Sequence, residues 1–236
     1  MDALQFNKAV SQHCKESGGD CYQRKYKEEN QSMKKFELTA ETKINVFGKK
    51  LFRIKALISF GDVKEGDVGG WIEKEKNLSH SGNAWVYGNA EVYGNARVCD
   101  NARVYGNAWV CGNAWVYGNA EVYGNARVYD NARVYGNTRV YDNAWVYGNA
   151  RVCGNAEVCG SADYATIHGF GTKFRTTTFF RCKDKQVRVC CGCFFGTIPE
   201  FREQVKKTRE GRVAEEYLMI ADLMEKHFTE EKESGE

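Results

Sequence analysis

Proline occurs only once, at Pro199, in a chain of 236 residues with 24 glycines. Turns here are therefore glycine's work, since a residue without a side chain admits left-handed backbone at little cost. No run of 18 or more apolar residues exists, which argues against a membrane-spanning helix. Residues 1–10 lack a basic start followed by a long apolar stretch, so no secretory signal is expected. The ten cysteines are then expected as reduced thiols in a cytoplasm, not as disulfides. An excess of one charge is also missing. The net charge is +3, with six bases against six acids over 82–160 and thirteen against thirteen over 161–236. The overall balance thus gives little support to a polyanionic partner. Two local stretches are more basic. Lys34 to Lys55 holds seven positive and two negative side chains, and Lys173 to Arg188 holds six and one.

What the chain does have is a repeat. From Gly82 to Cys159 it reads as thirteen consecutive hexads, G/D-N-A-x-V-Y/C, without an insertion. Asn holds the second position and Val the fifth throughout, and Ala holds the third except at Thr138. The first position is Gly, or Asp at Asp100, Asp130 and Asp142; the sixth is Tyr, or Cys at Cys99, Cys111, Cys153 and Cys159. A period of six does not fit an α-helix. On a short strand Ala and Val, two apart, face the same side, and the variable residue and Tyr face the other. Gly-Asn or Asp-Asn supplies a corner, since these residue types tolerate positive φ. One hexad cannot bury its Ala and Val alone, but stacked coils build a continuous core from them.

This pattern, an aliphatic residue every six with a small residue two before it, resembles the hexapeptide repeat of left-handed parallel β-helices. The resemblance implies a mainly β fold, a single-stranded left-handed parallel β-helix with three hexads per triangular coil of 18 residues. Residues 18 apart should then stack. One column reads Trp85, Arg103, Glu121, Arg139, Glu157; the next Glu91, Trp109, Arg127, Trp145; the third Arg97, Trp115, Arg133, Arg151. Arg beside Glu or Trp is a favourable neighbour, and tyrosines such as Tyr87, Tyr105, Tyr123 and Tyr141 should stack likewise. The aromatics therefore read either as internal ladders or as a binding face for a partner protein or second copy. The candidate partner-binding residues are Trp85, Trp109, Trp115 and Trp145, with Tyr105, Tyr123 and Arg127.

The flanks read as caps. Phe36-Glu-Leu-Thr, Ile44-Asn-Val-Phe and Leu51-Phe-Arg-Ile alternate as strands, giving an N-terminal β cap over 33–81. Met33-Lys-Lys-Phe and the run Phe60-Gly-Asp-Val-Lys-Glu-Gly-Asp-Val-Gly-Gly-Trp-Ile are similar to the lead-in of uncharacterised bacterial and phage hexapeptide-repeat proteins. Residues 1–32 are then an extension, a short amphipathic helix with Phe6, Ala9, Val10, His13 and Cys14 on one face. After the repeat, 161–228 reads as a ββαα module. Strands are expected at Thr176–Arg181 and Val187–Cys191, and helices over about 199–209 and 212–228, with Pro199 in a first turn. Gly192-Cys-Phe-Phe-Gly-Thr-Ile-Pro-Glu-Phe is similar to a small module that follows hexapeptide repeats in phage and prophage proteins. The tail 229–236 is acidic.

No standard metal spacing occurs. His13, Cys14 and Cys21 number three, and Cys182, Cys190, Cys191 and Cys193 run as C-x₇-C-C-x-C, so neither a metal nor a cofactor is expected. Many left-handed β-helix proteins are acyltransferases, but that chemistry needs a general base, and no His lies between Gly82 and Gly160. His80 and His168 flank the repeat and read as cap residues, so no catalytic residue is assigned. Threonine columns, which an ice-binding face would need, are missing too. The expected function is a non-enzymatic structural or protein-binding scaffold whose partner is another protein or a further copy of the chain, as a trimer or dimer. The flanks imply a phage or prophage accessory protein in a bacterial host's cytoplasm that blocks a defence component. The first alternative is nucleic-acid binding by the basic hairpin, through Lys173, Arg175, Arg181, Lys183, Lys185 and Arg188, with Phe174, Phe179 and Phe180 between them; the second is an acyltransferase of the hexapeptide-repeat class.

Overall fold

The computed structural model describes residues 34–229. The amphipathic extension before Met33 and the acidic tail after Thr229 lie outside the described residues. Those described fall into two compact units, one ending at Ser161 and one beginning at Ala162.

In the first unit each hexad contributes one two-residue strand, from β4 (Trp85–Val86) to β16 (Glu157–Val158). The strands pair in parallel with the strand 18 residues on, Trp85 with Arg103, Arg103 with Glu121, and Glu121 with Arg139. Three hexads make a coil, as expected, and all three columns assemble in the expected order. Below them β3 (Val68–Ile72) pairs in parallel with Glu91–Val92, and Leu78 bridges Val98, which brings the parallel solenoid to about five turns. Every repeat Ala and Val has zero exposure. Each sealed valine is worth about 1.5–2 kcal/mol relative to solvent. Thr138 is equally buried, and its hydroxyl donates to the Tyr135 carbonyl at 2.7 Å.

Corner and ladder are separate tasks in the hexad. The first residue alone carries positive φ, between 56° and 79° at the repeat glycines and 52° to 59° at Asp100, Asp130 and Asp142. Where Asp takes this strained position, its carboxylate reaches the next coil: Asp100 and Asp130 accept from the Gly118 and Gly148 N–H groups at 3.1 and 3.2 Å. Asn, expected to share the corner, is outside the left-handed region. Its amide instead donates to the asparagine 18 residues on. Asn83, Asn101, Asn119, Asn137 and Asn155 form one such chain at 3.0–3.2 Å.

The lowest coil has carbonyls with no coil beneath them, an edge that must be closed. Residues of the cap close it. The Lys35 ammonium donates to the Gly82 and Ala84 carbonyls at 3.2 and 2.8 Å. The Asn77 amide does the same for Gly94 and Ala96 at 3.2 and 2.8 Å. On the third side Arg53 donates to Gly88 at 2.9 Å, and the Trp71 N–H takes Ala90 at 2.9 Å. The cap itself is the antiparallel set β1 (Phe36–Ile44), β2 (Lys50–Ala56) and β3. Gly69 and Gly70 let β3 lie against the first coil, because a Cβ at either would sit 2.6 Å from Val86 atoms.

Two strand assignments need correction. Ile44-Asn-Val-Phe is not a separate strand: Ile44 ends β1, and the next residues turn into β2. Asn45 Oδ1 accepts from the Phe47 and Lys49 N–H groups, both at 3.0 Å, and Gly48 turns at φ 73°. In the second unit the sheet has four strands, not two. β17 (Tyr164–Phe170), β18 (Arg175–Arg181), β19 (Val187–Cys191) and β20 (Phe194–Thr197) form an antiparallel meander. The two missed strands carry weak signals, since β17 contains His-Gly and a register shift after Ile167, and β20 is four residues long. Helices α1 (Ile198–Thr208) and α2 (Gly211–Phe228) follow. Thr197 and Glu200 form a capping box at the start of α1. Phe201, Val205, Tyr217, Ala221 and Met224 bury their side chains with Phe179 and Val189 of the sheet.

Two outcomes follow from the corners and the edge. Gly118→Ala, at φ 70° with a Cβ that would meet Gly136 N at 3.0 Å, lowers stability by about 1–2 kcal/mol in urea titration. Burial pulls the Lys35 pKa down to about 8, whereas an unfolded lysine titrates near 10.4. Between those values the unfolded chain binds more protons, so stability rises with pH by an amount on the order of 2–3 kcal/mol. Tyr87 and Tyr105 have the opposite sign. Burial, with the Asp62 and Glu121 carboxylates, pushes both up to about 12. Their contribution is complete below pH 10 and is lost as pH rises through 12. Urea titrations at pH 7, 9 and 10 should show the rise in the wild type and lose it in Lys35→Met.

Candidate binding surfaces

The fourth and sixth residues of each hexad build the outside of the stack. Because residue i sits over residue i+18, side chains meet their own kind or a chosen complement. Arg127 lies between Trp109 and Trp145, its guanidinium 4.4 and 4.8 Å from the ring centroids. Trp115 lies between Arg97 and Arg133 at 5.5 and 5.3 Å. Arg139 bridges Glu121 and Glu157 at 3.5 and 3.6 Å. Tyr105 stacks on Tyr123 with ring centroids 4.7 Å apart, and Tyr123 on Tyr141 at 5.1 Å. The ladder reading of these aromatics is thus satisfied at each of these pairs.

The three sides of the prism differ. β1, β2 and β3 continue through Glu91–Val92, Trp109–Val110, Arg127–Val128 and Trp145–Val146 as one seven-stranded sheet. The first unit's exposed large hydrophobics, Ile44, Val46, Phe47, Val68, Trp145 and Tyr147, all belong to this sheet or adjoin its strands. Phe47 meets Trp109 edge-on at 5.6 Å, so Phe47, Trp109, Arg127 and Trp145 make a continuous stripe. Tyr129 and Tyr147 stack beside it at 5.2 Å. Of the proposed contact residues, Trp109, Arg127 and Trp145 share this side. Trp115 lies on the four-stranded side, and Tyr105 and Tyr123 follow strands of the five-stranded one.

Trp85 has to be removed from the contact set. It is 1% exposed, with Phe36 and Phe60 edge-on to its ring at 6.2 and 5.4 Å. The N-terminal cap covers the outside of the first coil, so the position that is outward elsewhere is interior here. Glu91 is covered for the same reason, and Lys43 and Asn45 hold its carboxylate at 2.9 and 3.2 Å.

In the second unit the six basic residues do not form one patch. Lys173 and Arg175 stand at one end of β18, and Lys183 and Lys185 past its other end, about 20 Å away by strand rise. Arg181 pairs with Asp163 at 3.5 Å and donates to the Phe228 carbonyl. Arg188 pairs with Asp184. Phe179 and Phe180 have zero exposure and cannot stack on bases, while Phe174 is 67% exposed. His80 accepts from the Lys35 N–H through Nδ1, meets Glu75 through Nε2 at 2.9 Å, and stacks on Phe36 at 4.3 Å. His168 is exposed beside Thr176. Cys182, Cys190, Cys191 and Cys193 are spread along a strand, its turns and both its faces. Among the described residues no three His, Cys, Asp or Glu side chains group as a metal site, and no helix is long and apolar enough to cross a membrane.

A family model, the YdcK beta solenoid repeat, matches residues 96–112, 120–136, 126–142, 132–148 and 138–154. The last four windows advance by one hexad, and each spans nearly one coil. No curated protein matches the chain.

Burial separates two tryptophans that occupy the same hexad position. Trp85→Ala should cost about 3–5 kcal/mol in chemical denaturation. Trp145→Ala, exposed and held mainly by Arg127, should cost about 1 kcal/mol or less.

Proposed function

We propose that this protein is a non-enzymatic binding scaffold that holds a protein partner on the seven-stranded side of its solenoid. What carries this reading is that the exposed Phe47, Trp145 and Tyr147 join Trp109 and Arg127 in one aromatic stripe on that side. Trp, Tyr and Arg, the residue types of the stripe, are those in which binding energy concentrates. The rigid interior supports the same reading, because side chains fixed by a packed stack lose little freedom on binding. The finer proposal is that the stack winds left-handed, as its hexapeptide pattern resembles, and associates through this side. The likeness of the flanks to phage and prophage proteins supports a role against a host defence component.

An acyltransferase reading has less behind it. The repeat contains no histidine, and both contacts of the His80 ring are taken up by the cap.

The test is the double variant Phe47→Ala/Trp145→Ala, both positions being exposed. Sedimentation velocity reports self-association, and affinity capture from the native host with quantitative mass spectrometry reports other partners. The variant should lose at least about tenfold in whichever association the wild type makes. Unchanged sedimentation together with an unchanged capture profile would remove this side from the function.

A further inference from the structure

The second unit contains a groove of about 790 Å³ that the basic-hairpin reading missed. Its floor is apolar, with Phe201, Val205 and Tyr217 buried and Phe194 and Val213 partly so. Its rim is cationic. Lys173, Arg175, Lys206, Lys207 and Arg209 line it against one acid, Glu210. Among the described residues, Lys173, Arg175, Lys207 and Arg209 make no ion pair. Other arginines of this unit do: Arg181 with Asp163, Arg188 with Asp184, Arg202 with Asp222 and Glu225, and Arg212 with Glu216. The unit neutralises its other guanidinium groups and leaves four cations unpaired around one hollow.

One further observation points the same way. Helix α2 begins at this groove, with Glu210 and Val213 in the lining. It has no side-chain cap and no acid in its first turn, whereas α1 has a full capping box. An uncapped helix start presents N–H donors and a partial positive charge. Phe174, between the lining residues Lys173 and Arg175, is 67% exposed and lies outside the lining itself. Cys191 forms part of the wall. Burial pushes its thiol pKa up, and Thr177 donates to its sulfur at 3.1 Å, so it is wall and not nucleophile.

From these we infer that the groove binds a nucleotide unit, its phosphate held by Lys173, Arg175, Lys207 and Arg209 and its base against the aromatic floor, where Phe194 is the partly exposed ring. A hollow with an apolar floor and a cationic rim fits a ligand with one flat apolar part and one anionic part. The source is either a free nucleotide or a single-stranded nucleic acid. The inference stands apart from the aromatic side of the solenoid, since it uses none of the same residues.

Full-length protein is titrated by calorimetry with ATP and with inorganic tripolyphosphate, and by fluorescence anisotropy with a labelled uridine oligonucleotide, all at low salt. ATP or the oligonucleotide binds, and Lys173→Ala/Arg209→Ala weakens it about tenfold or more. Phe194→Ala weakens it by about five- to tenfold. Lys183→Ala, a cation outside the groove, leaves it unchanged, and circular dichroism melting confirms that each variant folds. Tighter ATP identifies a free nucleotide; a tighter oligonucleotide with a steep salt slope identifies a strand. The inference is overturned by no binding of either probe, by equal affinities of wild type and double variant, or by tripolyphosphate binding as tightly as ATP.

Discussion

One constraint governs the first unit: each residue of a hexad lies beside the residue eighteen positions on. A hexad has too little apolar surface to fold alone, so its Ala and Val are sealed only by neighbouring coils. Once that interior forces the register, every other position must be compatible with its own copies. Asparagine meets this demand because an amide both donates and accepts, so Asn119 receives from Asn101 and gives to Asn137. Tyrosine meets it by ring stacking. Arginine does not, because like charges side by side repel. This is why the variable column alternates Arg127 with tryptophans and Arg139 with glutamates. The exception is Arg133 beside Arg151, where Arg133 leans on Trp115.

The same logic explains the cap. A stack of identical coils has no internal reason to stop, and its lowest carbonyls invite another strand. Lys35 and Asn77 each take two of those carbonyls with one side chain, and Arg53 takes a corner carbonyl. Burying an ammonium is costly, as the depressed Lys35 pKa shows. That cost is tolerated because an unsatisfied pair of buried carbonyls would also cost free energy. By covering Trp85 and Glu91, the cap also leaves the aromatic stripe to begin at Phe47 and Trp109.

How much was legible in the sequence follows from which contacts are local or periodic. The dry Ala and Val interior and both C-terminal helices follow from spacing, and the order of all three columns follows from the resemblance to three-hexad coils. The task of Asn did not, because an invariant position does not say whether its backbone or its amide is what matters. Only the neighbour eighteen residues on separates the two. Trp85 was misjudged because its burial depends on Phe36 and Phe60, outside the repeat. The turn at Asn45–Lys49 was hidden by Val46 and Phe47, apolar residues that look like strand and are exposed at 78% and 61%. The groove was not legible because it joins Lys173 and Arg175 to Lys207 and Arg209, brought together only when α1 folds back on the sheet. Counted along the chain, those cations fall into two separate segments.

The two units suit different kinds of ligand for a physical reason. A strict repeat generates flat sides, since each coil adds the same outline to the last, and flat aromatic sides suit large surfaces in which a few residues carry the energy. Concavity needs elements of unequal length and direction. A short meander crossed by two helices has them, and there a small ligand can be surrounded. The charge distribution follows the same division. Arg127 and Arg139 are held by their column neighbours, while Lys173, Arg175, Lys207 and Arg209 line a hollow. The two proposed surfaces therefore differ in whether each cation's opposite charge or ring is already in place.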